Sequence, residues 1–220
     1  MKDQSTARLL ASSLHEMRNI LAVINESAGL ARDVASLEAQ GPQPGQENKN
    51  AGIMVSALQG AQEAIDNASK LVRSMEYMAQ MSDSQNGIEE GCNLDYACQS
   101  FCRMAKRWAK SVCIALTSGN AQEQVWAALP VPLLYGALLE ILDLCASVGG
   151  QIGLDLTAGY RSKTAGIFVT LTGGDNLPLA LSAMTSKKSF EASDAGYLAS
   201  LVPANVDGKT YRFFLSVTQV

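Results

Sequence analysis

The sequence predicts an α+β protein in two parts: a long helical hairpin, then a sheet with helices on one face. Three observations predict it. Up to residue 81, apolar side chains recur at steps of mostly 3 and 4, interrupted once by Gly41-Pro42-Gln43-Pro44-Gly45. After the polar run Ser82-Asp83-Ser84-Gln85-Asn86-Gly87 the pattern changes to short apolar or alternating runs mixed with helical segments. A content of 47% hydrophobic and 17% charged residues over 220 positions is ample for a buried core.

Residues 5–39 form the first expected helix. Leu10, Leu14, Met17, Leu21, Ile24 and Ala28 follow one another at steps of 4, 3, 4, 3 and 4, the seam of a helix packed in a bundle. Ile20, Val23, Ser27, Leu30, Val34 and Leu37 make a second stripe. Two prolines and two glycines at 41–45 end the helix. Residues 48–81 form the second, with Ile53, Met54, Ala57, Leu58, Ala61, Ile65, Ala68, Leu71, Val72, Met75 and Met78 again at helical spacing. Methionines there serve as core. Two long helices joined by a short turn make an antiparallel hairpin. Each has a broader apolar face than one neighbour covers, so two copies are expected to complete a four-helix bundle, which makes the protein a homodimer.

The domain boundary is placed near residue 88, giving a hairpin domain, 1–87, and a mixed domain, 88–220. In the latter, 94–110 reads as a helix, 112–117 as a strand and 131–148 as a strongly apolar helix begun after Pro130. Residues 151–158 and 166–171 read as a β-hairpin around the turn 159–163. A short helix is expected around 192–201 and a last strand at 210–218.

A net charge of −4 and a pI near 5.1 argue against an extended nucleic-acid surface, which needs clustered cations. Arg103, Lys106, Arg107 and Lys110 are expected on the wet face of a helix. The longest apolar stretch, Val125 to Leu139, contains two prolines and falls short of the roughly 20 residues that span a bilayer. With no apolar core of a signal peptide at the N-terminus, a cytoplasmic protein is expected, without membrane or nucleic-acid partners. Cys92, Cys98, Cys102, Cys113 and Cys145 include no C-x-x-C pair and suit reduced, mostly buried thiols. With one histidine in the chain, no metal site is expected.

That histidine, His15, lies in Ser13-Leu14-His15-Glu16-Met17-Arg18-Asn19-Ile20-Leu21, one step off the apolar seam, so its imidazole is expected at the edge of the stripe or in water. Asn19, four residues on, shares its helix face. A lone solvated histidine is ordinary; the neighbours give it weight.

The run His15-Glu16-Met17-Arg18-Asn19, with Leu21 and Gly29-Leu30, resembles the phosphoacceptor box of sensor histidine kinases, H-E-[LM]-[RK]-[NT]-x-L. The hairpin is similar to their dimerisation and histidine-phosphotransfer domain. Asn93-Leu94-Asp95, the helix after it, Val112 to Leu116 and the helix 131–148 follow the order of their ATP-binding domain, in reduced form. The resemblance implies that His15 accepts phosphate, that Glu16 assists as base or orienting group, and that Asn19 orients a water against a receiver aspartyl phosphate. It gives Arg18 a contact with phosphate or with a receiver's acidic pocket. Imidazole suits such chemistry because it is largely neutral near pH 7, with an unperturbed pKa of about 6.5.

The nucleotide motifs depart from the family. Where relatives carry N-x-x-x-N, this chain has Glu140 and Leu144, and leucine cannot ligate a hard cation. D-x-G-x-G is replaced by Thr172-Gly173-Gly174-Asp175-Asn176-Leu177-Pro178, and Gly196 alone stands for the glycine-rich lid. These departures imply that ATP is not bound and that no cofactor is needed. The leading expectation is therefore a two-component histidine phosphotransferase, working with a response-regulator receiver domain. The alternatives are a divergent ATP-dependent kinase in which Glu140 and Asp143 hold magnesium, and a non-catalytic module that sequesters a receiver or a kinase.

Overall fold

A computed structural model describes residues 2–39, 47–81, 91–173, 177–186, 189–193, 197–207 and 210–219. The expected turn at 41–45 and the boundary at 87/88 lie outside the described residues. The chain divides into two compact units, Ser13–Arg73 and Met1–Ser12 with Ser74–Val220.

The first unit holds most of helices α1 (Lys2–Ala39) and α2 (Glu47–Gln80). Its buried positions recur every seven residues: Ser13, Ile20 and Val34 on α1, with Ser27 half-buried between them, and Ala57, Ala64 and Leu71 on α2. Most are small, which lets two helices approach closely. A Cβ added to Gly60 would meet Ser27 Oγ at 3.4 Å.

The expected seam is therefore only half covered within one chain. Leu10, Met17 and Ile24 are half-buried, whereas Leu14 and Leu21 are 57% and 51% exposed. The second stripe splits the same way: Ile20 and Val34 are buried while Val23, Leu30 and Leu37 are exposed. A single neighbouring helix covers only the arc where the two stripes meet. On α2 the exposed line is Leu58, Ile65 and Val72.

In the second unit, strand β1 (Cys92–Asn93) pairs antiparallel with β3 (Trp126–Ala127). Helix α3 (Leu94–Ser111) follows β1 directly, capped by the Asn93 side chain, which accepts from the Tyr96 amide at 3.0 Å. Its apolar face buries Leu94, Ala97, Phe101, Met104 and Ala105. Beyond β2 (Ile114–Ser118), helix α4 (Val131–Val148) buries Leu134, Leu138, Ile141, Leu142 and Cys145. By length and composition α4 is the one described helix that would pass as a membrane span, but half of it is buried in the protein, as in a core helix.

The remaining elements are β4 (Ile152–Arg161), β5 (Thr164–Gly173), α5 (Leu177–Ser186), β6 (Ser189–Ser193), β7 (Tyr197–Asp207) and β8 (Thr210–Gln219). They form one six-stranded sheet in the order β2-β4-β5-β8-β7-β6, parallel only at β2–β4, where α4 makes the crossover. One face buries Ile152, Leu154, Leu156, Ile167, Val169, Leu171, Phe213 and Leu215. The other carries Asp155, Thr157, Thr170 and Arg212, with the Phe168 and Phe214 rings 4.9 Å apart. A hairpin followed by a sheet with covering helices is the α+β architecture that the sequence predicts.

Two local expectations change. The β4–β5 turn is Ser162-Lys163 alone, both at positive φ (50° and 69°), the two-residue geometry that matches strand twist; the strands run on through Tyr160 and Arg161. The helix expected around 192–201 is replaced by strand: Tyr197 to Val202 pair with Gln219 to Phe214 on β8, and this ladder overrides the local helical preference of an Ala- and Leu-containing segment. Helix α5 and the two-residue strands β1 and β3 were not legible at all.

Glycine substitutions separate tight from open sites. Gly166→Ala places a Cβ 2.5 Å from Leu215 O and Phe214 Cζ, and is expected to destabilise by about 1–3 kcal/mol in chemical denaturation. Gly52→Ala, with nothing within 4 Å on an exposed helix face, should stabilise by about 0.5–1 kcal/mol.

Candidate functional site

Helix geometry sets the site on α1. His15 lies two residues beyond the buried Ser13, about 200° round the helix, so it stands on the face turned away from α2. It is exposed, as are Arg18 and Asn19, while Glu16 is half-buried. Asn19 is one turn on from His15 on the same face, and Arg18 lies between them and the line Leu14–Leu21. Among the described residues, none of these four side chains has a hydrogen bond or ion pair. The imidazole is exposed, with the half-buried Glu16 on the next residue. An exposed imidazole has the chemistry of a ring-nitrogen nucleophile, here with an amide and a guanidinium beside it.

The acidic positions of α4 are differently placed. Asp143 accepts from Arg8 through both oxygens, Nη1 to Oδ2 at 2.7 Å and Nη2 to Oδ1 at 2.9 Å. The Arg8 guanidinium also lies 4.7 Å from the centre of the Trp108 ring. The hydrogen bond to Asp143 holds the Arg8 pKa above its ordinary value, against the opposite pull of burial. Glu140 and Leu144 are half-buried. Thr172 and Gly173 end β5 and Leu177 and Pro178 begin α5, while Gly174, Asp175, Asn176 and Gly196 lie outside the described residues.

A buried cluster of phenols and thiols joins the end of α2 to α3 and α4. Tyr77 Oη and Cys92 Sγ are hydrogen-bonded at 3.0 Å, and Tyr77 meets Tyr96 edge-on with ring centres 4.8 Å apart. Tyr135 Oη donates to the Ala97 carbonyl at 3.2 Å. Burial pushes the thiols up, Cys92 to about 11 and Cys102 and Cys145 to about 12, with Cys98 also well above its ordinary value. All five cysteines are free, and Cys113 alone is exposed. The basic residues Lys106, Arg107 and Lys110 do form a wet face, while Arg103 donates to Gln99 Oε1 at 3.1 Å and to Ser74 Oγ at 3.5 Å. Arg8, Trp108 and Tyr77 escaped sequence reasoning because their partners lie far along the chain; no local spacing marks a contact across 135 residues.

No protein-family model and no curated protein matches the chain. Its likeness is to solved histidine kinases. It is similar to Acinetobacter baumannii histidine kinase AdeS, with 10% identity over 93% of this chain and 98% of that one and a TM-score of 0.39. It is similar to a bacterial phosphotransferase, with 15% identity over 97% and 96% of the two chains and a TM-score of 0.35. A third is histidine kinase ThkA in complex with response regulator protein TrrA, with 12% identity over 94% of this chain and 60% of that one and a TM-score of 0.38. At such identities and TM-scores, function is read from the chain's own residues.

Thiol chemistry gives a check on the buried cluster. A single fast-reacting thiol is expected on titration of the native protein with a disulfide reagent, removed by Cys113→Ser, with the other four appearing only on unfolding. Because the folded Cys92, Cys102 and Cys145 thiols titrate above the ordinary 9.0, the stability they carry is complete below pH 9 and is lost as pH rises towards 11 to 12. Thermal scans should show the midpoint falling from about pH 9 upward.

Proposed function

We propose that the chain is a dimeric histidine phosphotransfer protein of a two-component system, moving phosphate between His15 and an aspartate of a response-regulator receiver domain without binding ATP. The observation that carries this is an exposed, unengaged imidazole on the outward face of α1, with Glu16, Arg18 and Asn19 in the spacing of the phosphoacceptor box. A neutral ring nitrogen of His15 attacks phosphorus as the phosphorus–oxygen bond to the aspartate breaks, and the aspartate leaves as carboxylate. Glu16 holds the proton on the other nitrogen, Arg18 meets the phosphoryl charge, and Asn19 orients a water that hydrolyses the aspartyl phosphate.

The residues of the second unit fit magnesium and nucleotide poorly. Magnesium takes oxygen ligands, Leu144 has none, and both Asp143 oxygens already face a guanidinium. The exposed lines Leu14–Leu21, Val23–Leu30–Leu37 and Leu58–Ile65–Val72 support a dimer, since water-exposed apolar stripes of this length mark an interface. Free thiols fit a reducing, cytoplasmic setting.

The test supplies the two phosphoryl donors separately. With a phosphorylated receiver domain as donor, acid-labile, base-stable label should appear on the chain and vanish in His15→Gln. Glu16→Gln should slow the transfer about 100-fold or more, the usual worth of a positioned acid–base group. Labelling from magnesium and ATP alone would replace this proposal with a divergent kinase. Receiver binding that survives His15→Gln, with no label on the unmodified chain, would leave a sequestering module.

A further inference from the structure

Both ends of the hairpin, up to Ser12 on α1 and from Ser74 on α2, belong to the compact unit that contains the sheet. They are attached by contacts of different kinds. At the α2 end the attachment is buried: Ser74 and Met78 are out of water, and Tyr77 is fixed by Cys92 at 3.0 Å and by Tyr96 edge-on. At the α1 end Leu9 and Ser12 are buried, but the ion pair there, Arg8 to Asp143, is open to solvent, the two side chains being 41% and 45% exposed.

We propose that Arg8 and Asp143 form a releasable ionic latch that holds the opening turns of the His15-bearing helix on α4, while the Tyr77 contact is the permanent anchor. Its geometry is that of a selected contact. A paired guanidinium and carboxylate meeting through two hydrogen bonds has directional specificity that a simple charge pair lacks, and the guanidinium also lies over the Trp108 ring. Its exposure makes it releasable, because ion pairs open to solvent are weak and are weakened further by salt. While closed, the latch also occupies the carboxylate that a divergent kinase would need for magnesium. The latch stands on contacts within one unit and does not depend on the phosphotransfer proposal.

Amide hydrogen exchange on the full chain tests it. Exchange of residues 6–12 should quicken about fivefold in Arg8→Ala and in Asp143→Ala, the size expected for a well-aligned exposed pair, while residues 74–80 keep their protection. The reciprocal double variant, Arg8→Asp with Asp143→Arg, should recover most of the lost protection. In the unmodified protein, raising sodium chloride to about 1 M should quicken the same amides, which covers the case in which a variant does not fold. Single variants or salt that leave residues 6–12 unchanged overturn the latch. So does a loss of protection shared equally by residues 74–80, or a charge swap that recovers nothing. None of these readouts involves phosphate, so a failed latch and a failed phosphotransfer assay remain distinguishable.

Discussion

Each helix of the hairpin carries more apolar surface than its one neighbour can cover, and the seam that does form interleaves small residues with Ile20, Val34 and Leu71. Ser13, Ile20, Ser27 and Val34 on α1 and Ala57, Ala64 and Leu71 on α2 keep strict seven-residue spacing, with Gly60 facing Ser27 between them. Close approach along that line fixes the rotation of α1. Once the rotation is fixed, Leu14 and Leu21 must flank the seam on one side and Val23, Leu30 and Leu37 on the other, and His15 must face outward. The placement of the candidate nucleophile and the exposure of the leucines are therefore one consequence of a single packing choice.

The second unit obeys a different constraint, burial of an almost wholly apolar helix. α4 is largely buried, and its Asp143 is placed where its charge is met by the guanidinium of Arg8. Around it burial holds the thiols of Cys92, Cys102 and Cys145 protonated, and buried phenols are paired, as in the Tyr77–Cys92 contact and the Tyr135 hydrogen bond to Ala97, while the buried hydroxyl of Ser12 has no partner among the described residues. These are features of a stable scaffold. The candidate nucleophile lies on the exposed face of α1.

Elements long enough to show a period were legible in the sequence: α1, α2, α3, α4 and the β4–β5 hairpin appear within a few residues of where spacing puts them. What escaped was decided by partners distant in sequence. Tyr197 to Val202 is strand because β8 lies beside it, and β1 and β3 are two residues each, too short for any pattern. The candidate site was legible because His15 and Asn19 are one turn apart on one helix, so a local repeat contains the geometry. Arg8–Asp143 was not, because the two residues belong to elements whose meeting no local pattern encodes. The apolar stripes were read correctly as residues, but their division into covered and exposed halves depends on how closely small side chains let two helices approach.

The most direct measurement of whether this packing choice carries the function is the solution mass of the unmodified chain by light scattering at micromolar concentration. Exposed heptad lines that complete a bundle in a second copy require twice the chain mass of 23.3 kDa, with Leu21→Glu combined with Leu58→Glu returning a folded monomer. A monomer for the unmodified chain would contradict the account, since the leucine lines would then have no second copy to cover them.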